Sequence, residues 1–324
     1  MPPTSVTMTR EGGGLTIAVT GANKGLGLAA CKQLASAPSV GKLILMVRSA
    51  SKGEAAKQAI VAAGGQANVS VVLFDALSPN TIKAAISELL GSGEALDGLL
   101  MNAGGSAGGS KADMKLVESL GCCASLGFNV IGHSILLEGL TAAGKPPRCV
   151  VFSGSEAATM IGSKFTDAAD LKKEIVQPSI GFVYGEAKVI GTLYMASYAR
   201  KHPDLRVYTI SPGGTYGTGA FDSCPACGPC CCNTVCMPCR MLVCHSPAAG
   251  AKRYVDALLQ PDYAYASGTF VGCKSGMKGP VVDQATKGAG GKRLTEVNLQ
   301  DAAYDAVRSF VPAGVLQGDH FIPP

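Results

Sequence analysis

The residues Leu15 to Thr20 (LTIAVT) run directly into Gly21-Ala-Asn-Lys-Gly25-Leu-Gly27, and a helical pattern follows through Leu34. A strand, a glycine-rich turn and a helix in that order restrict the fold more than any other feature of the chain. Gly21 lets the backbone reverse sharply. Gly25 and Gly27 let it approach a pyrophosphate at a helix N-terminus. The spacing is GxxxGxG and not the commoner GxGxxG. The same residues also read as a tight β–α connection with no ligand.

The alternation continues beyond the turn. Strand patterns recur at 42–47, 69–74, 96–101, 148–153, 205–210 and near 268–272. Helical patterns lie between them at 51–63, 79–90, 115–140, about 181–201 and 247–259, and another follows at 299–310. Pro79 fits the first turn of its helix. The order predicts an α/β fold, a single Rossmann-type doubly wound parallel sheet of about seven strands with helices on both faces. The expected organisation is a flexible N-terminus at 1–14, a nucleotide-binding catalytic domain at 15–275 with a Cys-rich lid at 220–246, and a C-terminal extension at 276–324. No internal repeat is visible.

Composition narrows the function classes. Hydrophobic residues make up 47% of the 324 and charged residues 16%, which permits a large core. The net charge of +5 carries no Lys/Arg run of the kind that tracks phosphates, so no nucleic-acid partner is expected. The apolar runs are too short to span a bilayer. Residues 1–14 are polar and Gly-rich and contain no secretory h-region. The compartment stays open between cytoplasm and, for a processed form, a plastid or other organelle.

The candidate chemistry lies at strand ends. Arg48 follows the second strand, where an acidic residue would bind a ribose hydroxyl; a cation there suits a 2′-phosphate. Lys24 in the glycine turn adds a second charge, and the pair favours NADP(H) over NAD(H). Arg48 also reads as a solvated loop charge. Asp75 ends the third strand, where it could meet an adenine amino group. Asn102-Ala103-Gly104 opens from the fourth, where small residues let backbone sit close to a ribose. Asn129 lies inside a helical pattern that disfavours Asn, which fits either a bend that holds a water or a tolerated residue on a solvated turn. His133, one turn on, reads as packed or exposed, and Cys122-Cys123 as core thiols. Ser155 stands just past the fifth strand, where ligands bind in such sheets.

Tyr184 and Lys188 are four apart and share a helix face. An ammonium beside a phenol lowers its pKa from about 10, which would tune the pair for acid–base work. A surface pair is the plainer alternative for this spacing taken alone.

Taken in order, these residues resemble the short-chain dehydrogenase/reductase family over roughly 15–272. The resemblance rests on Thr20-Gly21-Ala22-Asn23-Lys24-Gly25-Leu26-Gly27, Asn102-Ala103-Gly104, Asn129, Ser155, Tyr184 with Lys188, and Pro212-Gly213. Asn23-Lys24-Gly25 with Arg48 is similar to NADP(H)-using members such as carbonyl reductases. The gap of 29 residues from Ser155 to Tyr184 resembles the branch of retinol dehydrogenases and protochlorophyllide reductase, as do Ala248-Gly250-Lys252-Arg253 and Ser267-Gly268-Thr269-Phe270. Ala187 stands where a serine is typical. Gly217 stands where threonine is usual, with Thr218 the nearest hydroxyl.

The resemblance implies hydride transfer between NADPH and a carbonyl or conjugated double bond of an apolar substrate. Tyr184 would be the general acid or base, and Lys188 would tune it and bind ribose. Ser155 would hold the reacting oxygen, and Asn129 would hold a water of the proton path. Gly21, Asn23, Lys24, Gly25, Leu26 and Gly27 of the turn, with Arg48, Asp75, Asn102, Ala103, Gly104, Tyr184, Lys188, Pro212, Gly213 and Thr215, would line the NADP(H) site. A homo-oligomer and a place in a larger complex both stay open.

Eight of the thirteen cysteines fall between Cys224 and Cys244. Three overlapping CxxC pairs there have zinc-ligand spacing, but no four ligands can be named, and no metal site is assigned. The segment reads as an apolar lid built from reduced cysteines, as a zinc or iron–sulfur site, or as a lipidated or redox-sensing cluster. A rival to the enzyme is a catalytically silent nucleotide-binding or structural subunit that docks or binds metal through this segment.

Overall fold

The computed structural model describes residues 14–93, 95–106, 110–161, 165–179, 183–216 and 244–317. The N-terminal residues 1–13 and most of the Cys-rich segment, with Gly217 and Thr218, lie outside them.

Six strands expected from the sequence form the body of one sheet: β1 Leu15–Thr20, β2 Val40–Val47, β3 Asn68–Leu73, β4 Gly98–Met101, β7 Cys149–Ser153 and β8 Arg206–Ile210. Phe270–Cys273 (β9) is the seventh and is also parallel. An eighth, β10 Val281–Asp283, pairs antiparallel with β9 at the edge. The order is β10-β9-β8-β7-β4-β1-β2-β3, so the chain winds outward in one direction from β1, then crosses back over it to β4 and winds the other way. That reversal beside β1 opens a crevice at the carboxyl ends of the strands, where open α/β sheets take ligands.

The helices cover both faces because the strands are apolar on both. On one side pack α1 Gly25–Ala35, α2 Ala50–Val61 and α10 Pro247–Leu259, around buried Ile17, Leu34, Leu45 and Tyr254. Ser246 caps α10 by accepting from Ala249 N, with Pro247 in its first turn. On the other side lie α3 Pro79–Gly91, α6 Gly132–Ala142 and α9 Val183–Lys201, around Ile86, Leu136 and Leu193.

The helix expected across 115–140 is not continuous. After a single turn, α4 Ser110–Asp113, the strands β5 Leu116–Val117 and β6 Cys122–Cys123 form an antiparallel hairpin. Gly121 at φ +65° makes the reversal and ends any helical register there. The helix proper begins at α5 Ala124–Leu126, passes through a π turn at Gly127–Ile131 and continues as α6. Two short helices, α7 Ala157–Met160 and α8 Ala168–Val176, occupy the excursion before α9.

The region after Lys274, weak in sequence signal, is built into the same core. Beyond β10 come α11 Gly288–Arg293, α12 Val297–Arg308 and α13 Ala313–Leu316. Helix α12 packs along α9 with Ala303, Tyr304 and Val307 buried. Arg308 Nε reaches the buried carboxylate of Glu138 on α6 at 3.2 Å, and Tyr194 Oη donates to the same carboxylate at 2.9 Å.

Candidate active site

The glycine turn is built as its spacing requires. Gly21 and Gly25 have φ of +66° and +54°, a region costly for side-chain-bearing residues. Gly27 is fixed by space, since a Cβ there would lie 2.3 Å from Gly21 O. The exposed Lys24 is the N-cap residue of α1. Arg48 is exposed after β2, one residue before Ser49, which caps α2 by accepting from Lys52 N. Asp75 lies just past β3 and accepts from Leu77 N at 3.0 Å. Asn23 and Leu26 are half-buried in the turn.

Asn102 closes the turn from the neighbouring strand. Its Nδ2 donates to Thr20 O at 2.9 Å, and the backbone N–H groups of Asn102 and Ala103 both donate to Thr20 Oγ1 at 2.9 Å. Thr20 itself was not singled out in the sequence as more than part of the motif. On the far side, Gly213 has φ +73°, and its N–H donates to Ser211 Oγ at 3.1 Å. Ser211 in turn donates to Glu156, whose other carboxylate oxygen accepts from Cys273 N at 2.8 Å. Thr215 Oγ1 donates to Gly213 O at 3.2 Å. Gly250 on α10 lets that loop close, because a Cβ on it would meet Thr215 Oγ1 at 2.8 Å, Leu26 Cδ2 at 2.9 Å and Pro212 O at 3.2 Å.

The π turn places Asn129 at the mouth of this crevice, fully buried. Its amide is held by backbone: Nδ2 donates to Gly105 O and Ser125 O, both at 2.9 Å, and Oδ1 accepts from Gly105 N at 3.0 Å. Gly104 is wedged between this amide and Lys188. A Cβ on Gly104 would lie 2.6 Å from Asn129 Oδ1 and 3.5 Å from Lys188 Nζ.

Helix α9 carries Tyr184 and Lys188 on the face that meets the end of β7. Lys188 Nζ donates to Ser153 O at 2.8 Å and sits 5.3 Å from the centre of the Tyr184 ring. The phenol hydrogen-bonds with the hydroxyl of Ser155. Asn129, Ser155 and the Tyr184–Lys188 pair, three separate stretches of the sequence, thus come together near Gly104 and the end of β7.

The electrostatics differ from the expectation of an acidified phenol. Burial raises the pKa of Tyr184, the Ser155 hydrogen bond pulls it down, and the charge of Glu156 adds to the rise. Burial also lowers Lys188 to about 7, so much of its charge is absent at neutral pH. The pair as folded is therefore a protonated phenol beside a weakly basic amine.

His133, expected to be merely packed or exposed, is buried with Nε2 2.9 Å from Thr20 Oγ1. Its place one turn beyond Asn129 was the only sequence sign of a link to the site. Among the described residues no group of three His, Cys, Asp or Glu could hold a metal ion, and no helix is long and apolar enough to cross a membrane. Cys244, buried, is the one member of the cysteine cluster within the described residues.

Comparisons with known proteins bear on the fold that carries these residues. Residues 15–136 match the family model for short chain dehydrogenases. The short chain dehydrogenase virL of Hypocrea virens is 28% identical over 236 residues, 69% of this chain and just under two thirds (66%) of its own length. The human 3-keto-steroid reductase/17-beta-hydroxysteroid dehydrogenase 7 is 35% identical over 88 residues, 27% of this chain and 26% of that protein. The fold matches L-sorbose reductase from Gluconobacter frateurii, solved with NADPH and L-sorbose, at a TM-score of 0.62 and 18% identity over 82% of this chain and 98% of that one. A metagenomic short-chain oxidoreductase solved with NADP matches at 0.54 and 22% identity over 81% and 99%. The glycine turn, the strand order and the match over residues 15–136 thus agree in their likeness to the short-chain dehydrogenase/reductase family, whose fold this chain has.

Proposed function

We propose that the chain is an NADP(H)-dependent reductase of a carbonyl or conjugated double bond on an apolar substrate. The observation that carries this reading is the hydrogen bond between Ser155 and Tyr184 at the end of β7, with Lys188 fastened to the same strand through Ser153 O. Packing alone does not require a buried lysine on a backbone carbonyl beside a phenol–hydroxyl pair.

The residues present fit a nicotinamide dinucleotide. The turn from Gly21 to Gly27 presents backbone rather than side chains, and Gly27 has no room for even a methyl group. Pyrophosphate would lie against the N-terminus of α1. Asn102 to Gly104, with Pro212, Gly213 and Thr215, would flank the ribose and nicotinamide, and Asp75 the adenine. Arg48 and Lys24, both exposed at the adenosine end, favour a 2′-phosphate. NADPH, when bound, supplies the hydride.

The protein's own part is proton delivery and orientation. The raised pKa keeps Tyr184 protonated at neutral pH, which suits a general acid that donates to the developing alkoxide of a reduced carbonyl. Ser155 shares the phenol and can donate to the same oxygen. Lys188, with its pKa near 7, can pass a proton towards Tyr184. Asn129 fixes the Gly105 backbone and the π turn against Lys188, and its own carbonyl is the candidate holder of a relay water. The name of the human relative, a keto-steroid reductase, supports a carbonyl on an apolar frame, as does the resemblance to the retinol dehydrogenase branch.

The test is NADPH oxidation by purified protein with a panel of aldehydes, quinones, conjugated ketones and tetrapyrroles, run beside NADH. Turnover of at least one apolar member with NADPH preferred is the expected result. Saturable NADPH binding with no turnover of any member would favour the silent nucleotide-binding subunit instead.

A further inference from the structure

The residue that the mechanism leaves unused is His133. It is 1% exposed, at the start of α6, packed 5.8 Å from the ring of Phe74. Its surroundings determine where its proton sits. A threonine hydroxyl has one hydrogen and two lone pairs. Thr20 Oγ1 already accepts from the N–H groups of Asn102 and Ala103 at 2.9 Å each, the Asn102 N–H being shared with Leu100 O at the longer distance of 3.1 Å. Its own hydrogen must then go to His133 Nε2 at 2.9 Å or to Leu100 O at 3.4 Å. The second distance is too long for a regular O–H···O bond. Nε2 is therefore an acceptor, and a neutral imidazole that accepts at Nε2 carries its hydrogen on Nδ1. Nδ1 is buried and makes no regular hydrogen bond among the described residues. The polar group it addresses is the backbone carbonyl of Asn129, four residues earlier.

We propose that His133 is a positioning residue held as the neutral Nδ1–H tautomer, accepting from Thr20 at Nε2 and directed at the Asn129 carbonyl from Nδ1. It thereby joins the glycine turn of the cofactor site to the π turn that holds Asn129 against Lys188. Burial and the nearby Lys188 charge both oppose a second proton on the ring, and a doubly protonated ring would leave Thr20 with three donors for two lone pairs. The importance of this link to catalysis rests on the reading above, in which Asn102 to Gly104 line the cofactor; the tautomer does not.

The test has two arms. In the first, long-range proton–nitrogen spectra of the full chain labelled with nitrogen-15 histidine are recorded, and the His133 signals are identified by their loss in His133→Gln. The expected pattern is a protonated Nδ1 and an unprotonated Nε2. The opposite tautomer, or an imidazolium near neutral pH, overturns the proposal. This arm is independent of activity, so it stands apart from any failure of the Tyr184 mechanism.

In the second arm, NADPH affinity is measured by fluorescence titration. An asparagine amide overlays the Nδ1 side of the ring, and a glutamine amide the Nε2 side. His133→Asn loses the Thr20 acceptor and is expected to bind NADPH about tenfold more weakly. His133→Gln keeps an acceptor for Thr20 and is expected to recover most of that loss. A merely structural histidine would weaken both variants alike, and equal affinities of His133→Asn and His133→Gln overturn the proposal.

Discussion

Replacing Gly104 by alanine tests the site geometry with a single methyl group. Gly104 has no left-handed φ, so alanine brings no backbone strain, and the whole effect is spatial. The added Cβ would stand 2.6 Å from Asn129 Oδ1 and 3.5 Å from Lys188 Nζ. A carbon and an oxygen rest at about 3.3 Å, so one of them must yield by roughly 0.7 Å. The Asn129 amide is pinned by its bonds to Gly105 N, Gly105 O and Ser125 O at 2.9–3.0 Å. A shift of that size breaks at least one of them in a buried setting, at about 1–3 kcal/mol, on top of the overpacking itself. A loss of about 2–4 kcal/mol is expected from urea denaturation. A fall in kcat/KM of about tenfold to a hundredfold should accompany it, because the displaced amide and Lys188 belong to the proposed proton path. Gly91→Ala is the control: nothing lies within 4 Å of its Cβ, and its stability should change by less than about 0.5 kcal/mol. Wild-type stability and turnover in Gly104→Ala would refute the close approach of Asn129, Gly104 and Lys188.

The remaining predictions address charge and integration. Unfolded Lys188 keeps its proton to about pH 10.4, whereas the folded chain releases it near pH 7. Between those values the unfolded state binds more protons, so the cost of burying Lys188 is full below about pH 7 and fades as pH rises. That cost is on the order of 4 kcal/mol, and Lys188→Met should flatten the rise in stability from pH 7 to 9 in urea titrations. Arg48→Ala should raise the KM for NADPH about tenfold or more through loss of a charge-assisted contact, with the KM for NADH nearly unchanged; an equal rise for both would contradict the 2′-phosphate assignment. Glu138→Ala leaves the Tyr194 hydroxyl and Arg308 without their shared buried partner and should cost about 3 kcal/mol. A single unfolding transition in that variant would place α12 in the same cooperative unit as the sheet, whereas early loss of the C-terminal helices would mark a separable extension.

The parts of the fold legible in the sequence were those whose physics is local. Apolar runs such as Leu43 to Val47 and helical spacing between them declared an alternating α/β chain, and Pro79 announced the start of α3. The hairpin at Leu116–Cys123 did not declare itself, because two-residue strands are too short for a period and Gly121 looks like any small residue in a helical pattern. Strand β10 was hidden for the same reason, and the edge it covers is visible only once β9 is placed.

At the site, Asn129 stood out as a residue disfavoured inside a helix, and Tyr184 with Lys188 through their spacing of four on one helix face. Thr20 and His133 did not, since their hydrogen bond joins positions 113 residues apart. The sign of the Tyr184 shift was likewise illegible: spacing gives the proximity of an amine, but only the packed structure gives the burial that raises the phenol against the Ser155 hydrogen bond.

The most direct measurement is a comparison of wild type and Tyr184→Phe, each titrated with NADPH and then assayed with any substrate the panel yields. The variant loses one hydroxyl and no cofactor contact of the glycine turn. NADPH affinity within about twofold of wild type and turnover reduced by about a hundredfold or more are expected of a lost general acid. Undiminished turnover in Tyr184→Phe would contradict the account.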